Sequence, residues 1–326
     1  MLDFFGTIGG AIMTPLYYAV SFVLVGFHRA LSTFMDPAGG LTWVLSIVGL
    51  TLVIRTALIP LFVKQIKSSR NMQLIQPKVR ELQKKYGHDR EKLAQETMKL
   101  YKDSGTNPFA SCLPILLQMP IFLALFRMLD QAARKEKAHG FLDEGLAKQF
   151  GQASLFDRIP VSGTFLNADG QVGIMVVAAI LVLGMTATTF LTQRQLMSKN
   201  MPADALSGPY AQQQKMLLYV LPVVFAVGGV AFPIGVLVYW TVSNLWTMCQ
   251  QFYVIRNNPA PGTPAAEAKE QRDRAKAEKK GLKTPAQLEE ERIAAEAEAK
   301  RAEQSQTRVQ PQRQTKAQRT KSKKKR

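Results

Sequence analysis

The chain has 326 residues, 47% of them apolar, and a formal charge of +18. Apolar and basic residues are segregated rather than interleaved, which excludes an ordinary soluble domain, because apolar runs of about 18 residues or more read as membrane spans. Two cysteines (Cys112, Cys249) and three histidines (His28, His88, His139) form no CxxC pair or Cys/His cluster, so neither a disulfide framework nor a metal site is expected.

The opening stretch, Phe4–Phe27, carries no charge and is long enough to span. Gly9, Gly10 and Pro15 weaken it as one continuous helix, and it lacks the basic start of a signal peptide. Residues 1–40 are expected to form a helix at the outer interface, with an extra span as the alternative.

Five core spans follow within residues 41–255, at about 41–63, 109–129, 172–193, 216–231 and 234–254. Pro60 is expected to bend the end of the first. Pro114 and Pro120 lie inside the second, where neighbouring helices satisfy the freed carbonyls. The fourth is short and carries Pro222, which suits a locally thinned bilayer. "AFPIGV" (Ala231–Val236) joins it to the fifth as a tight turn. The fold class expected is all-α, a polytopic membrane protein.

Between the first two spans, residues 64–108 read as a helical hairpin. Met72, Ile75, Val79, Leu82 and Tyr86 repeat every three to four positions as one apolar stripe. Gly87 then stops the first helix and Asp89 caps the second. The hairpin is either a solvated charged element or a docking surface for a partner or anionic headgroups. The tail, 256–326, has almost no large apolar residues and ends in "KSKKKR" (Lys321–Arg326), so it is expected to be a basic, largely disordered segment, part of 264–305 being able to form a lone helix. Its charge attracts RNA, with ribosomal RNA a plausible target, or anionic lipid; a plain solubilising extension fits the composition equally.

Lysines and arginines set the orientation. Segment 64–108 holds eleven, the tail after 255 holds twenty, and loop 134–170 holds five matched by five acids. With five spans the two basic segments share a side. They are expected to be cytoplasmic in a bacterial plasma membrane, and the loop extracytoplasmic.

One charge stands out. Arg55 interrupts the apolar run "LTLVIRTALIPL" (Leu50–Leu61), eight residues or about 12 Å from Val63 at the nearer end of its span. Its Cα–Cβ bond tilts away from that end, so snorkelling falls short. The core spans contain no Asp or Glu to pair with it. They do offer uncharged polar groups: Thr51, Gln118, Thr188, Thr189, Thr192, Gln193, Tyr239, Trp240, Ser243 and Asn244. A bundle around a water-lined hollow is the economical arrangement, and an unpaired guanidinium there attracts an anion or an acidic peptide segment.

Three stretches resemble the YidC/Oxa/Alb membrane protein insertases: "VIRTALIPL" (Val53–Leu61), "MQLIQPKVRELQKKYGHDREKLAQETMKLYKDSGTNPFASCLPILLQMPIFLALFRML" (Met72–Leu129) and "FPIGVLVYWTVSNL" (Phe232–Leu245). The likeness covers about residues 12–256 and is to the shorter, Gram-positive type without a large extracytoplasmic domain, although no lipoprotein cysteine stands near the N-terminus. It implies five core helices around a hydrophilic groove, closed on the outer side and open to cytoplasm and lipid, with Arg55 as its arginine. It implies substrate contact at Thr51 and Trp240, a groove glutamine at Gln193, and an interfacial helix at Tyr17–Phe34. With Gln118, Tyr239 and Asn244 these are the expected substrate-groove residues. The resemblance also implies a greasy path along the third and fifth spans, nascent membrane proteins as substrates, and the bilayer, the Sec translocon and the ribosome as partners. No cofactor is expected.

An intramembrane protease needs a nucleophile and a base, but the core spans hold no histidine, lysine or acidic pair, so an enzyme is not expected. A small-anion transporter or channel remains the alternative use of a lone arginine.

Overall fold

The computed structural model describes residues 2–105, 113–201, 209–283 and 285–308. The first residues of the expected second span, 109–112, and the terminal cluster 321–326 lie outside the described residues. The chain divides into two compact units, Met1–Ala266 and Glu267–Arg326.

The first unit is mostly helical. In chain order it contains α1 (Leu2–Leu31), α2 (Gly40–Ala57), α3 (Ile59–Tyr86), α4 (Arg90–Asp103), α5 (Leu113–Lys135) and α6 (Glu144–Gln152). A small antiparallel hairpin follows, β1 (Ser154–Leu155) with β2 (Ile159–Pro160), then α7 (Val172–Asn200), α8 (Pro209–Gly229) and α9 (Ile234–Asn257). Helix α9 is central, packing on α2, α5 and α7, while α8 packs on α7. Among the described residues α2 and α7 are long and apolar enough to cross a membrane, and Leu218–Gly229 in α8 is a shorter apolar stretch.

Two helices depart from expectation at prolines and glycines. Helix α1 runs unbroken through Gly9, Gly10 and Pro15. Proline removes one backbone bond, and away from water no solvent competes for the remaining ones. Its buried stripe, Val20, Leu24, Val25 and His28, has helical spacing, and α1 packs across α2 and α5. The close approach to α2 needs Gly49, where a Cβ would fall 2.5 Å from the Phe27 ring. The first expected span instead ends early: α2 stops at Ala57 and α3 restarts at Ile59. Pro60 cannot donate to the carbonyl four residues back, but it is tolerated in the first turn of a new helix. Bonds from Leu58 N to Ile54 O and from Phe62 N to Leu58 O (both 3.0 Å) carry the chain through this joint. Helix α3 then continues as the first arm of the basic hairpin, with Ile75 and Val79 buried and α4 packed against it. The Asp89 side chain caps α4 by accepting from Lys92 N at 3.0 Å.

The hydrophobic core fills one half of the bundle. Trp43, Ile47 and Leu50 of α2, Leu125 and Leu129 of α5, Phe150 of α6 and Ile234 of α9 are all fully buried there. The loop after α6 closes this end. Val161 and Gly163 carbonyls accept from Gly235 and Ile234 N–H at 3.0 and 2.9 Å, satisfying donors that the α9 N-terminus leaves free. Gly40 lets the β-hairpin rest on the start of α2, since a Cβ there would lie 2.5 Å from Ser154 backbone.

In the tail, helix is found within the stretch 264–305 expected to be able to form one, and residues 309–326 lie outside the described residues. Helix α10 (Pro264–Lys280) leads into the second unit, and α11 (Pro285–Arg308) follows. Ala, Glu, Lys, Gln and Arg are the strongest helix formers, so helix forms without a core. Glu270 and Arg274 add an i,i+4 pair at 2.6 Å. Leu288 and Ile293 stay exposed, so no apolar core forms around them.

Candidate functional site

Below Thr51 the packing loosens, and Arg55 lies at that change. Its Nε donates to Ser243 Oγ of α9 at 3.1 Å, and its Nη2 donates to the same oxygen. Among the described residues no carboxylate pairs with it. Tyr239, one turn before Ser243, is buried beside both.

The guanidinium lines a hollow of about 190 Å³. Three amide side chains share it: Gln65 of α3, Gln118 of α5 and Gln250 of α9. Leu58, Leu61, Phe62 and Met119 complete the wall. Leu58, Leu61, Phe62 and Gln65 fall at i, i+3, i+4 and i+7, one face of the helix that the break at Leu58 begins. The local fold therefore aims a new helical face at Arg55.

Of the seven residues singled out from the sequence, the structure brings Arg55 and Gln118 together at this hollow and sets Tyr239 beside Arg55. The others lie elsewhere. Thr51 is 1% exposed and donates to Ile47 O at 2.7 Å, on the packed side. Trp240 sits in an aromatic cluster, its ring centroid 5.5 Å from Phe122, 4.9 Å from Phe225 and 5.7 Å from Phe232. Asn244 Nδ2 donates to Thr189 Oγ1 at 3.2 Å, tying α9 to α7. Gln193 is half-buried on α7 and does not line the hollow. The α7 threonines also differ from expectation: Thr188 and Thr192 donate to carbonyls of their own helix, both at 2.7 Å. Such back-bonding satisfies a hydroxyl without water.

Sequence reasoning missed Gln65 and Gln250 as wall residues. Gln250 lies seven positions after Ser243, two helical turns on the same face, so helical spacing from Ser243 would have found it.

The family described as "60Kd inner membrane protein" matches residues 34–261. The chain belongs to that family, the YidC/Oxa family. Proteins named "Membrane protein insertase YidC" are among its relatives. One from Streptomyces avermitilis is 47% identical over 257 residues, covering 76% of this chain and 59% of that protein. One from Tropheryma whipplei is 38% identical over 275 residues, covering 80% and 89%. One from Bifidobacterium longum is 37% identical over 296 residues, covering 87% of each. The chain thus spans under two-thirds of the Streptomyces relative and most of the other two. A solved structure described as "Active YidC insertase crystal structure with the first transmembrane domain resolved" aligns with a TM-score of 0.45 at 24% identity, over 73% of this chain and 46% of that one. Members of the YidC/Oxa family are membrane proteins, in keeping with the apolar α2 and α7 here.

Proposed function

We propose that this protein is a membrane protein insertase in which the Arg55 hollow receives the hydrophilic, often acidic, translocated tail of a nascent membrane protein. The observation that carries the reading is a guanidinium facing a hollow with three glutamine amides and no acidic partner among the described residues. Two unit charges 4 Å apart attract by about 1 kcal/mol in water and about 4 kcal/mol at an effective dielectric near 20. Arg55 therefore concentrates carboxylates, while its bond to a neutral serine costs little to exchange.

The basic hairpin and tail are cytoplasmic in this reading, and loop 134–170 is extracytoplasmic. Five core helices, on α2 with the start of α3, α5, α7, α8 and α9, would surround the groove. The hollow lies at the α2–α3 joint, on the hairpin side, so the tail enters from the cytoplasm. The substrate's apolar segment moves along the exposed apolar faces of α7 and α9, represented by Ile180, Leu183 and Leu245. Lipid partition drives it, and the potential adds about 2.3 kcal/mol per charge per 100 mV for an acidic tail moving outward. The Leu218–Gly229 stretch of α8 is about 18 Å long, against a hydrocarbon core of about 30 Å, which favours local thinning. No bond is made or broken. Nascent chains and lipid are the partners this scheme requires; the ribosome, through residues 256–326, and the Sec translocon are partners it admits.

The fully buried layer of Trp43, Leu142, Phe150 and Ile234 supports this reading over a small-anion channel, which needs a path through both halves. The test is depletion and rescue in cells, scoring insertion of a small substrate with an acidic translocated tail. We expect Arg55→Ala to lose most insertion at equal abundance and Arg55→Lys to retain it. Equal insertion by Arg55→Ala would overturn the role of the charge.

A further inference from the structure

A second cavity, about 390 Å³, adjoins the arginine hollow, with Phe62 and Gln250 lining both. It lies between the start of α3 and the end of α9 and is mostly apolar, walled by Phe62, Ile66, Trp246 and Val254. A helix with its side chains is about 10–12 Å across and rises about 5.4 Å per turn, on the order of 400–600 Å³ per turn. The cavity thus holds about one turn of a helix, too little for a passing span, but its size suits a slender hydrocarbon chain.

Its position and polar atoms narrow the occupant. Both helices change from apolar to basic at its rim, from Val63 to Lys64 on α3 and from Ile255 to Arg256 on α9. That change marks the level where lipid hydrocarbon gives way to ester and phosphate groups. The side-chain amides of Gln250 and Asn258 line the cavity without a hydrogen-bond partner among the described residues. Each offers N–H donors to an ester or phosphate oxygen.

We propose that one acyl chain of a membrane phospholipid occupies this cavity, its ester region facing Gln250 and Asn258. The chain would lie against Phe62, lipid on one side of that ring and the Arg55 hollow on the other. This binding stands apart from the insertase reading and is tested by binding alone.

The experiment is native mass spectrometry of the full-length protein released from detergent micelles doped with phosphatidylglycerol or phosphatidylcholine of matched acyl chains. We expect one retained lipid per chain, saturating at similar concentrations for the two headgroups because the acyl chain and ester region carry the binding. Val63→Trp and Cys249→Trp, which fill the cavity from opposite helices at half-exposed positions, should each remove the retained lipid without lowering the melting temperature. Retention that rises without saturating, or that survives both fillings, would reduce the lipid to a nonspecific annulus and overturn the proposal. So would displacement of the lipid by one equivalent of a synthetic apolar single-span peptide, which would assign the cavity to a substrate helix.

Discussion

A guanidinium held only by a serine hydroxyl keeps its charge available, and the Arg55–Ser243 contact is therefore a positioning device. Removing the hydroxyl tests this. Ser243→Ala should lower unfolding stability by about 1.5–3 kcal/mol, the usual worth of a hydrogen bond to a charged group, while insertion stays far above that of Arg55→Ala. Chemical unfolding in detergent, read beside the rescue assay, checks both; loss of insertion equal to that of Arg55→Ala would make Ser243 a working group itself. A different residue gives loop 134–170 its pH response. The His139 ring lies tilted against Tyr17, centroids 4.5 Å apart, and its Nε2 pairs with Gln131 Oε1 at 2.7 Å. Burial, then the positive charges of Lys137 and Arg127, hold its imidazole below the ordinary histidine value. The neutral ring is thus favoured in the folded protein and the unfolded chain takes up the proton first. Stability from this group is present above about pH 6.5 and falls as the pH drops through that value toward the folded pKa. Melting temperatures from pH 7.5 to 5 should decline more steeply for the native chain than for His139→Gln; parallel curves would contradict the assignment. At this scale Arg55 and Gln118 are conspicuous in the sequence because apolar runs surround them. Gln65 and Gln250 are not, because they stand where the chain already turns polar, and only the joint at Leu58 brings their faces to Arg55.

Among the elements, the joint between α2 and α3 matters most for the site. Pro60 is plain in the sequence, and a bend was legible from it. That the bend restarts a helix whose face lines the hollow was not, because the result depends on where α5 and α9 stand. The threonines of α7 teach the same lesson: composition shows polar groups in a span, but only hydrogen-bond partners show that Thr188 and Thr192 are satisfied within their own helix. A helix in the tail was legible from its composition, and α10 and α11 cover most of the stretch 264–305. Gly281 ends α10 at a φ of +61°, with Leu282 N bonded to Ala277 O at 2.9 Å, a glycine stop of the usual kind. The contact between Gly40 and the β-hairpin gives a direct test at this scale. A methyl group at Gly40 meets backbone rather than a movable side chain, so Gly40→Ala should cost about 1–3 kcal/mol, read as a lowered melting temperature in detergent. An unchanged melting temperature would mean the hairpin is free to lift.

At the largest scale, the first unit is a bundle whose main apolar cluster fills one end, with the Arg55 hollow toward the other. Segregation of apolar and basic residues makes the membrane location legible from composition alone. The asymmetry between the two ends is invisible there, because Trp43, Phe150 and Ile234 meet only after three distant segments fold together. The same asymmetry distinguishes an insertase, which needs to bring a hydrophilic tail only partway, from a channel. The central claim is that the Arg55 hollow receives that tail, and site-specific photo-crosslinking tests it most directly. A photoreactive residue is placed at Gln118, at Gln250, or at the exposed position Leu166 in loop 134–170, and ribosome-stalled substrate with an acidic translocated tail is presented. The account predicts tail adducts at Gln118 and Gln250, none at Leu166 at this stage, and loss of the adducts in the Arg55→Ala background. Adducts at Gln118 and Gln250 that persist without Arg55, or a tail found only at Leu166, would contradict it.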